Sequence, residues 1–140
     1  YYTKVSRESA TGIDEQIKNI KANADAALEA THRIKLGAVD MKEAILRGNI
    51  RGMADLLGKG WEAKKQMAKG ISSPVIEEAY KVAMDSGAMS GKVSGAGGGG
   101  FIMLMVHPEH KMDVTRALQG LGGQVSRFHF TPHGTQAWTV

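Results

Sequence analysis

The stretch that most constrains this chain is residues 92–106, Lys-Val-Ser-Gly-Ala-Gly-Gly-Gly-Gly-Phe-Ile-Met-Leu-Met-Val. A short extended lead-in, Lys92 to Ser94, opens into Gly95-Ala96-Gly97-Gly98-Gly99-Gly100, where no side chain exceeds a methyl. Residues 101–106 follow at once and are apolar at every position, as in a buried strand. Glycine reaches φ > 0 and lets backbone approach backbone closely, at an entropic cost on folding. Successive N–H groups in such turns can converge on an anion. A glycine run of this density is a flexible joint or a loop shaped to sit against something. Joints normally have polar neighbours, so the apolar strand argues for the shaped loop.

Two familiar phosphate-binding patterns do not apply. Gly95-x-Gly97-x-x-Gly100 matches the dinucleotide-binding string, but that fingerprint needs a strand before it and a helix after it. Here a strand-type run follows. No G-x-x-x-x-G-K-[ST] string occurs, which excludes a P-loop ATPase.

Residues 92–101 resemble the third conserved motif of the GHMP small-molecule kinases. Within that superfamily, Ser6-Arg7-Glu8-Ser9, Trp61-Glu62-Ala63-Lys64-Lys65, Ile71-Ser72-Ser73-Pro74 and Gly87-Ala88 resemble the heptose 7-phosphate kinase branch. The resemblance covers nearly the whole chain and concerns only the C-terminal part of such an enzyme. Three positions depart from the branch: Ser90 where Gly is usual, Ser73 where Asn is common before Pro74, and Lys4 where Gly is common.

The 140 residues suit one domain with a substantial core, and 42% hydrophobic with 23% charged residues is ordinary for a soluble globular protein. No run approaches the ~18 apolar residues of a membrane helix, and no signal-peptide pattern opens the chain. The absence of cysteine excludes disulfides and thiolate metal sites and suits a cytoplasmic protein. A net charge of +4 does not by itself call for nucleic acid, and only three Phe with no aromatic–basic strand motif speak against RNA. The chain opens on Tyr1-Tyr2-Thr3 with no initiator Met, as a piece of something longer would.

In chain order, residues 1–5 are β-type. Helical spacing then runs through Ile13, Ile17, Ile20, Ala24 and Leu28, and again through Ile34, Ala38, Met41 and Ile45 up to Gly48. Asn49 is placed to cap a third helix carrying Ile50, Met53, Leu57 and Trp61 and ending near Gly70. Ser73-Pro74 with Glu77 and Glu78 starts a fourth, and Gly87 suits its left-handed terminus. After the glycine loop and its strand, Pro108-Glu109 begins a helix bearing Val114, Leu118 and Leu121. Residues 125–130 and 135–140 read as two more strands turning at Pro132-His133-Gly134. The fold class expected is α+β, a ferredoxin-like sandwich of antiparallel sheet with an enlarged helical layer. The family's C-terminal domain has that architecture.

Metal chemistry finds little support. His107 with His110, and His129 with His133, have suggestive spacing, but Pro108 interrupts the first pair and no acidic cluster completes either. No metal ligand set is assigned. The cations are more informative. Lys59, Lys64, Lys65 and Lys69 fall on one expected helix, Lys92 precedes the glycine loop, and Arg7 follows the opening strand. A solvated face is the ordinary explanation for each lysine alone. By the resemblance, a substrate already bearing a phosphate needs fixed cations, and Arg7, Lys64, Lys65 and Lys92 are the candidates.

What the resemblance implies is the C-terminal domain of an ATP- and Mg2+-dependent kinase that phosphorylates the anomeric hydroxyl of a heptose 7-phosphate. The active-site loop would be Ser94, Gly95, Ala96, Gly97, Gly98, Gly99 and Gly100. Catalytic residues and the nucleotide loop would lie in an N-terminal domain of the same chain, so residues 1–140 alone would be inactive. A homodimer is compatible with the sequence. Two alternatives stand beside this expectation: a GHMP kinase for another sugar such as fucose, and a free-standing ferredoxin-like module binding an anion without catalysis.

Overall fold

The computed structural model describes residues 1–5, 9–22 and 25–138. Its elements are α1 (Ser9–Lys21), α2 (Asp25–Leu46), α3 (Ile50–Lys65), α4 (Pro74–Asp85), β1 (Ala88–Val93), β2 (Ile102–Val106), a 3-10 turn (Pro108–His110) and α5 (Lys111–Gln119). This is the expected α+β class. β1 and β2 pair antiparallel, with Val93 opposite Ile102 and Lys92 opposite Met103. The opening segment lies along the far side of β2. Tyr1 exchanges both backbone bonds with Ile102, each 2.8 Å. Tyr2 bridges Phe101 on one side and Gln124 on the other.

Local chemistry sets the helix ends. The Asn49 side chain accepts from Gly52 N–H at 3.0 Å and opens α3. Ser73 caps α4 through Ile76 N–H, with Pro74 at the first helical position and Glu77 in the first turn. Ser73, at a position where the branch resemblance would lead one to expect Asn, is thus itself a working N-cap. Gly87 stands at φ 101°, where a side chain is disfavoured, and its N–H closes the helix on the Met84 carbonyl.

One core sits between these layers. Trp61, Ile71, Ile76, Val93, Ile102, Val114 and Leu118 are buried together, joining α3, α4, both strands and α5. Ala27 and Ala30 are buried on α2, where small residues allow close helix packing. The close approach of α3 to β1 passes through Gly58, where an added Cβ would lie 3.5 Å from that of Ser90. Ser90 is accordingly 4% exposed and turned toward α3.

Four sequence expectations change. The helix expected through residues 13–28 ends at Lys21, and α2 runs unbroken from Asp25. The interval between Leu28 and Ile34 holds no Gly or Pro, so nothing stops the helix there. Helix α3 ends at Lys65 instead of near Gly70, because the chain turns to bury Ala68 and Ile71 in the core. Lys69 is therefore off the helix. The lead-in expected at residues 92–94 is a six-residue strand, Ala88–Val93, while the opening residues contribute bridges at Tyr2 without a strand of their own. Finally, residues 125–138 form no strand. The pattern expected there needs a ladder partner, and Phe128, Phe130 and Trp138 stand exposed without one among the described residues. Residues 139 and 140 of the second expected strand lie outside the described residues.

Lys4 is the single non-glycine residue at positive φ among those described, at 58°. The left-handed conformation costs an L-residue about 1–2 kcal/mol, and glycine returns part of that gain as unfolded-state entropy. Lys4→Gly should therefore stabilise the protein by roughly 0.5–1 kcal/mol, seen as a rise of a few degrees in Tm. An unchanged or lower Tm would mean that the backbone at this position is not strained.

Candidate functional site

The glycine loop connects β1 to β2 and is fastened on three sides. Ser94 N–H donates to the Phe101 carbonyl at 2.8 Å and closes its base. Gly98 N–H donates to the Ile71 carbonyl and Gly100 N–H to the Val5 carbonyl, each at 2.7 Å. The Gly100 carbonyl in turn accepts from Thr3 N–H at 2.9 Å and Thr3 Oγ1 at 3.0 Å. Helix α1 touches the loop's outer side, where Gln16 Nε2 lies 3.5 Å from the Ala96 carbonyl oxygen. Backbone hydrogen bonds in this number make the segment a docked structure and not a joint.

Glycine is required at two positions for reasons that differ from flexibility. Gly97 has φ 105°, and a Cβ there would come within 2.6 Å of the Ile71 carbonyl oxygen. At Gly99 a Cβ would collide with the Val5 carbonyl. Both are sites of close backbone approach. Gly98 and Gly99 are buried, whereas Ser94 and Gly95 are exposed. Residues 95–96 form a turn, and the N–H groups of Gly95, Ala96 and Gly99 make no backbone hydrogen bond among the described residues. Of these, Gly95 is exposed and Ala96 half-buried, so their N–H groups can meet an acceptor from solvent.

The structure separates the candidate cations. Lys64 Nζ donates to the Gly95 carbonyl, so its ammonium sits on the loop. Partial burial, and then the charge of Lys92, push Lys64 below the ordinary lysine range. It has no carboxylate partner among the described residues. Lys65 is different. It stands 2.9 Å from Glu62 and 3.5 Å from Glu77, with its ammonium 5.8 Å from the centre of the Trp61 ring. Burial lowers Lys65 too, but hydrogen bonding and charge from Glu62, followed by Glu77, outweigh it and hold the ammonium above its ordinary value.

Lys64, Lys92 and the loop therefore form one electropositive corner, while Lys65 is committed to tying α3 to α4. Lys59 is exposed, away from the loop on a wall shared with Asp40, Glu43 and Asp55 of the α2–α3 pair. Arg7 lies outside the described residues. His107 and His110 both approach Glu109 Oε1 at 3.4 Å on the surface. Sequence reasoning missed the supports of the loop: the Ile71 and Val5 carbonyls, and the Glu62 and Glu77 carboxylates. Only Glu62, three residues before Lys65 on a helix, carried a local signal.

A family model described as GHMP kinases C terminal matches residues 41–124. Over all 140 residues the chain is 41% identical to the D-glycero-alpha-D-manno-heptose 7-phosphate kinase of Campylobacter jejuni subsp. jejuni serotype O:2, and it spans 41% of that protein's length. It is 31% identical over 105 residues to the L-fucokinase/L-fucose-1-P guanylyltransferase of Bacteroides fragilis, covering 75% of this chain and 11% of that one. Among solved structures, the L. major mevalonate kinase in complex with R-mevalonate superposes with a TM-score of 0.76, over 85% of this chain and 36% of that one. At 17% identity that last match is a likeness of fold.

The loop geometry gives a paired test. Gly95 also has positive φ, 79°, but a Cβ there meets nothing within 4 Å. Gly95→Ala should cost about 1 kcal/mol of stability, the backbone penalty alone. Gly97→Ala adds a clash with fixed backbone and should cost roughly 2–4 kcal/mol. Thermal or denaturant unfolding of the two variants checks the order; equal costs would mean that the loop does not rest on Ile71.

Proposed function

This chain belongs to the GHMP kinases, as their C-terminal domain, and on that footing we propose that it is the phosphate-sensing half of a heptose 7-phosphate kinase. The complete enzyme would move the γ-phosphoryl group of ATP to the anomeric hydroxyl of the sugar. The O–P bond of the nucleotide breaks as the sugar oxygen bonds phosphorus, and the hydroxyl proton leaves to a base. The relatives are longer proteins, and ATP, its Mg2+ and the base are assigned to an N-terminal domain of the same chain. What the residues described here supply is position and charge, which dominate phosphoryl transfer.

One observation carries this reading. Lys64 is held against the glycine loop beside Lys92 without a carboxylate, and unpartnered N–H groups of the loop lie in the same segment. An anion placed there would gain charge-assisted hydrogen bonds and relieve the repulsion between the two ammonium groups. The substrate's existing phosphate is the group that fits. Identity to the heptose 7-phosphate kinase over the full chain supports the same substrate class. The second reading, a kinase for fucose or another unphosphorylated sugar, draws on the fucokinase relative. The two differ in whether binding depends on a phosphate on the sugar.

Lys64→Ala in the full-length kinase should raise KM for heptose 7-phosphate about ten- to a hundredfold, as expected for loss of a charged hydrogen bond of about 1.5–3 kcal/mol, with KM for ATP nearly unchanged. Lys65→Ala should leave the sugar-phosphate KM much less affected. Equal effects of Lys64→Ala on both substrates, or none, would remove the phosphate from this corner.

The depressed pKa of Lys64 gives a second test with a definite sign. A lowered pKa means the ammonium loses its proton at a lower pH than an ordinary lysine. The anion contact is intact below that pKa and fades as pH rises through it. KM for the sugar phosphate should therefore climb on the alkaline side before ordinary lysines titrate. Lys64→Arg should flatten that limb, since guanidinium stays charged. An alkaline limb that is the same in both proteins would assign it to another group.

A further inference from the structure

Adjacent lysines at 64 and 65 behave oppositely: Lys65 is held by Glu62 and, from the next helix, by Glu77. Glu77 Oε1 accepts from Ser72 Oγ. The same oxygen is 3.5 Å from Lys65 Nζ, which is also 2.9 Å from Glu62. Ser72, Glu77, Lys65 and Glu62 thus form a continuous chain of contacts from the segment before α4 to the end of α3.

Each end of this chain bears on the glycine loop. At one end Ser72 follows Ile71, whose carbonyl receives Gly98 N–H at 2.7 Å and whose backbone leaves Gly97 no room for a Cβ. At the other end Lys65 follows Lys64 in the last turn of α3, and Lys64 donates to the Gly95 carbonyl. One carboxylate therefore contacts the residue next to each support of the loop, without lying on the loop itself.

Such a network does little for stability. Exposed ion pairs contribute about 0–1 kcal/mol, and an acid in the first turn of a helix a comparable amount. Placement is another matter: a misplacement of about 1 Å at a reacting centre can cost on the order of a hundredfold in rate. We propose that Glu77 is a positioning residue of the kinase reaction, holding the glycine loop and Lys64 in register through Ser72 and Lys65. The proposal rests on the reading of that corner as the sugar-phosphate site.

The test uses the full-length kinase with heptose 7-phosphate and ATP, and compares Glu77→Ala, Glu77→Gln, Ser72→Ala and Lys64→Ala. Glu77→Ala should lower kcat/KM for the sugar phosphate about ten- to a hundredfold, leave KM for ATP close to its starting value, and shift Tm by no more than a few degrees. Glu77→Gln keeps an acceptor for Ser72 but loses the charge facing Lys65, and should recover part of the loss. Ser72→Ala combined with Glu77→Ala should be little worse than Glu77→Ala alone, because the two act as a unit. Unchanged kinetics in Glu77→Ala, or losses on both substrates that follow a lowered Tm and are not recovered by Gln, would overturn the positioning role. Lys64→Ala distinguishes the two levels. If it raises the sugar-phosphate KM while Glu77→Ala does not, the site stands and the positioning role fails. If Lys64→Ala is silent as well, the site itself fails and the proposal with it.

Discussion

The hydrogen bond from Gly98 N–H to the Ile71 carbonyl is the contact on which the site depends. Ile71 is 2% exposed, and its side chain belongs to the same cluster as Ile76, Val93 and Ile102. The floor of the loop is thus the edge of the hydrophobic core, and the loop inherits the core's rigidity. The Val5 carbonyl forms the second wall. Glycine is needed here less for freedom than for thinness, since at Gly97 and Gly99 backbone lies against backbone with no space for a Cβ. A sequence that would be mobile in isolation becomes a fixed surface because both of its neighbours are themselves fixed.

The parts of the fold that were legible in the sequence are those written in local chemistry. Asn49, Ser73-Pro74 and Gly87 each end or begin a helix through contacts within a few residues, and each does so in the structure. The end of α1 at Lys21 was not legible, because the apolar spacing from Ile13 to Leu28 continues past it and periodicity alone does not say where a helix stops. The end of α3 was missed for a tertiary reason: Ala68 and Ile71 leave helical geometry to reach the core. Residues 125–138 show the limit of strand reading. Alternation of Phe128 and Phe130 with polar residues is meaningful only beside a partner strand, and none is present among the described residues.

The site divides in the same way. The glycine loop and Lys64 were singled out from the motifs that carry the family resemblance, and the structure puts the two in contact. The distinction between Lys64 and Lys65 was only partly legible: Glu62 lies three residues from Lys65 on the same helix, but Glu77 comes from twelve positions further along the chain. Lys69 was grouped with Lys59, Lys64 and Lys65 by an overlong helix and lies beyond the end of α3 at Lys65.

Adjacent residues on an α-helix point about 100° apart, so a Lys-Lys pair must divide its charges between two directions. In α3 one direction meets Glu62, Glu77 and the Trp61 ring, and the other meets backbone carbonyl and a third lysine. The first lysine is satisfied. The second is partly desolvated and faces like charge, and both effects disfavour its ammonium form. The two lysines share the last turn of α3, so their positions are linked through the helix. A single Lys at position 65 would keep the tie to α4 alone, and a single Lys at position 64 the contact with the loop alone. The pair on one helical turn, with a carboxylate waiting on the next helix, is the smallest arrangement that supplies both.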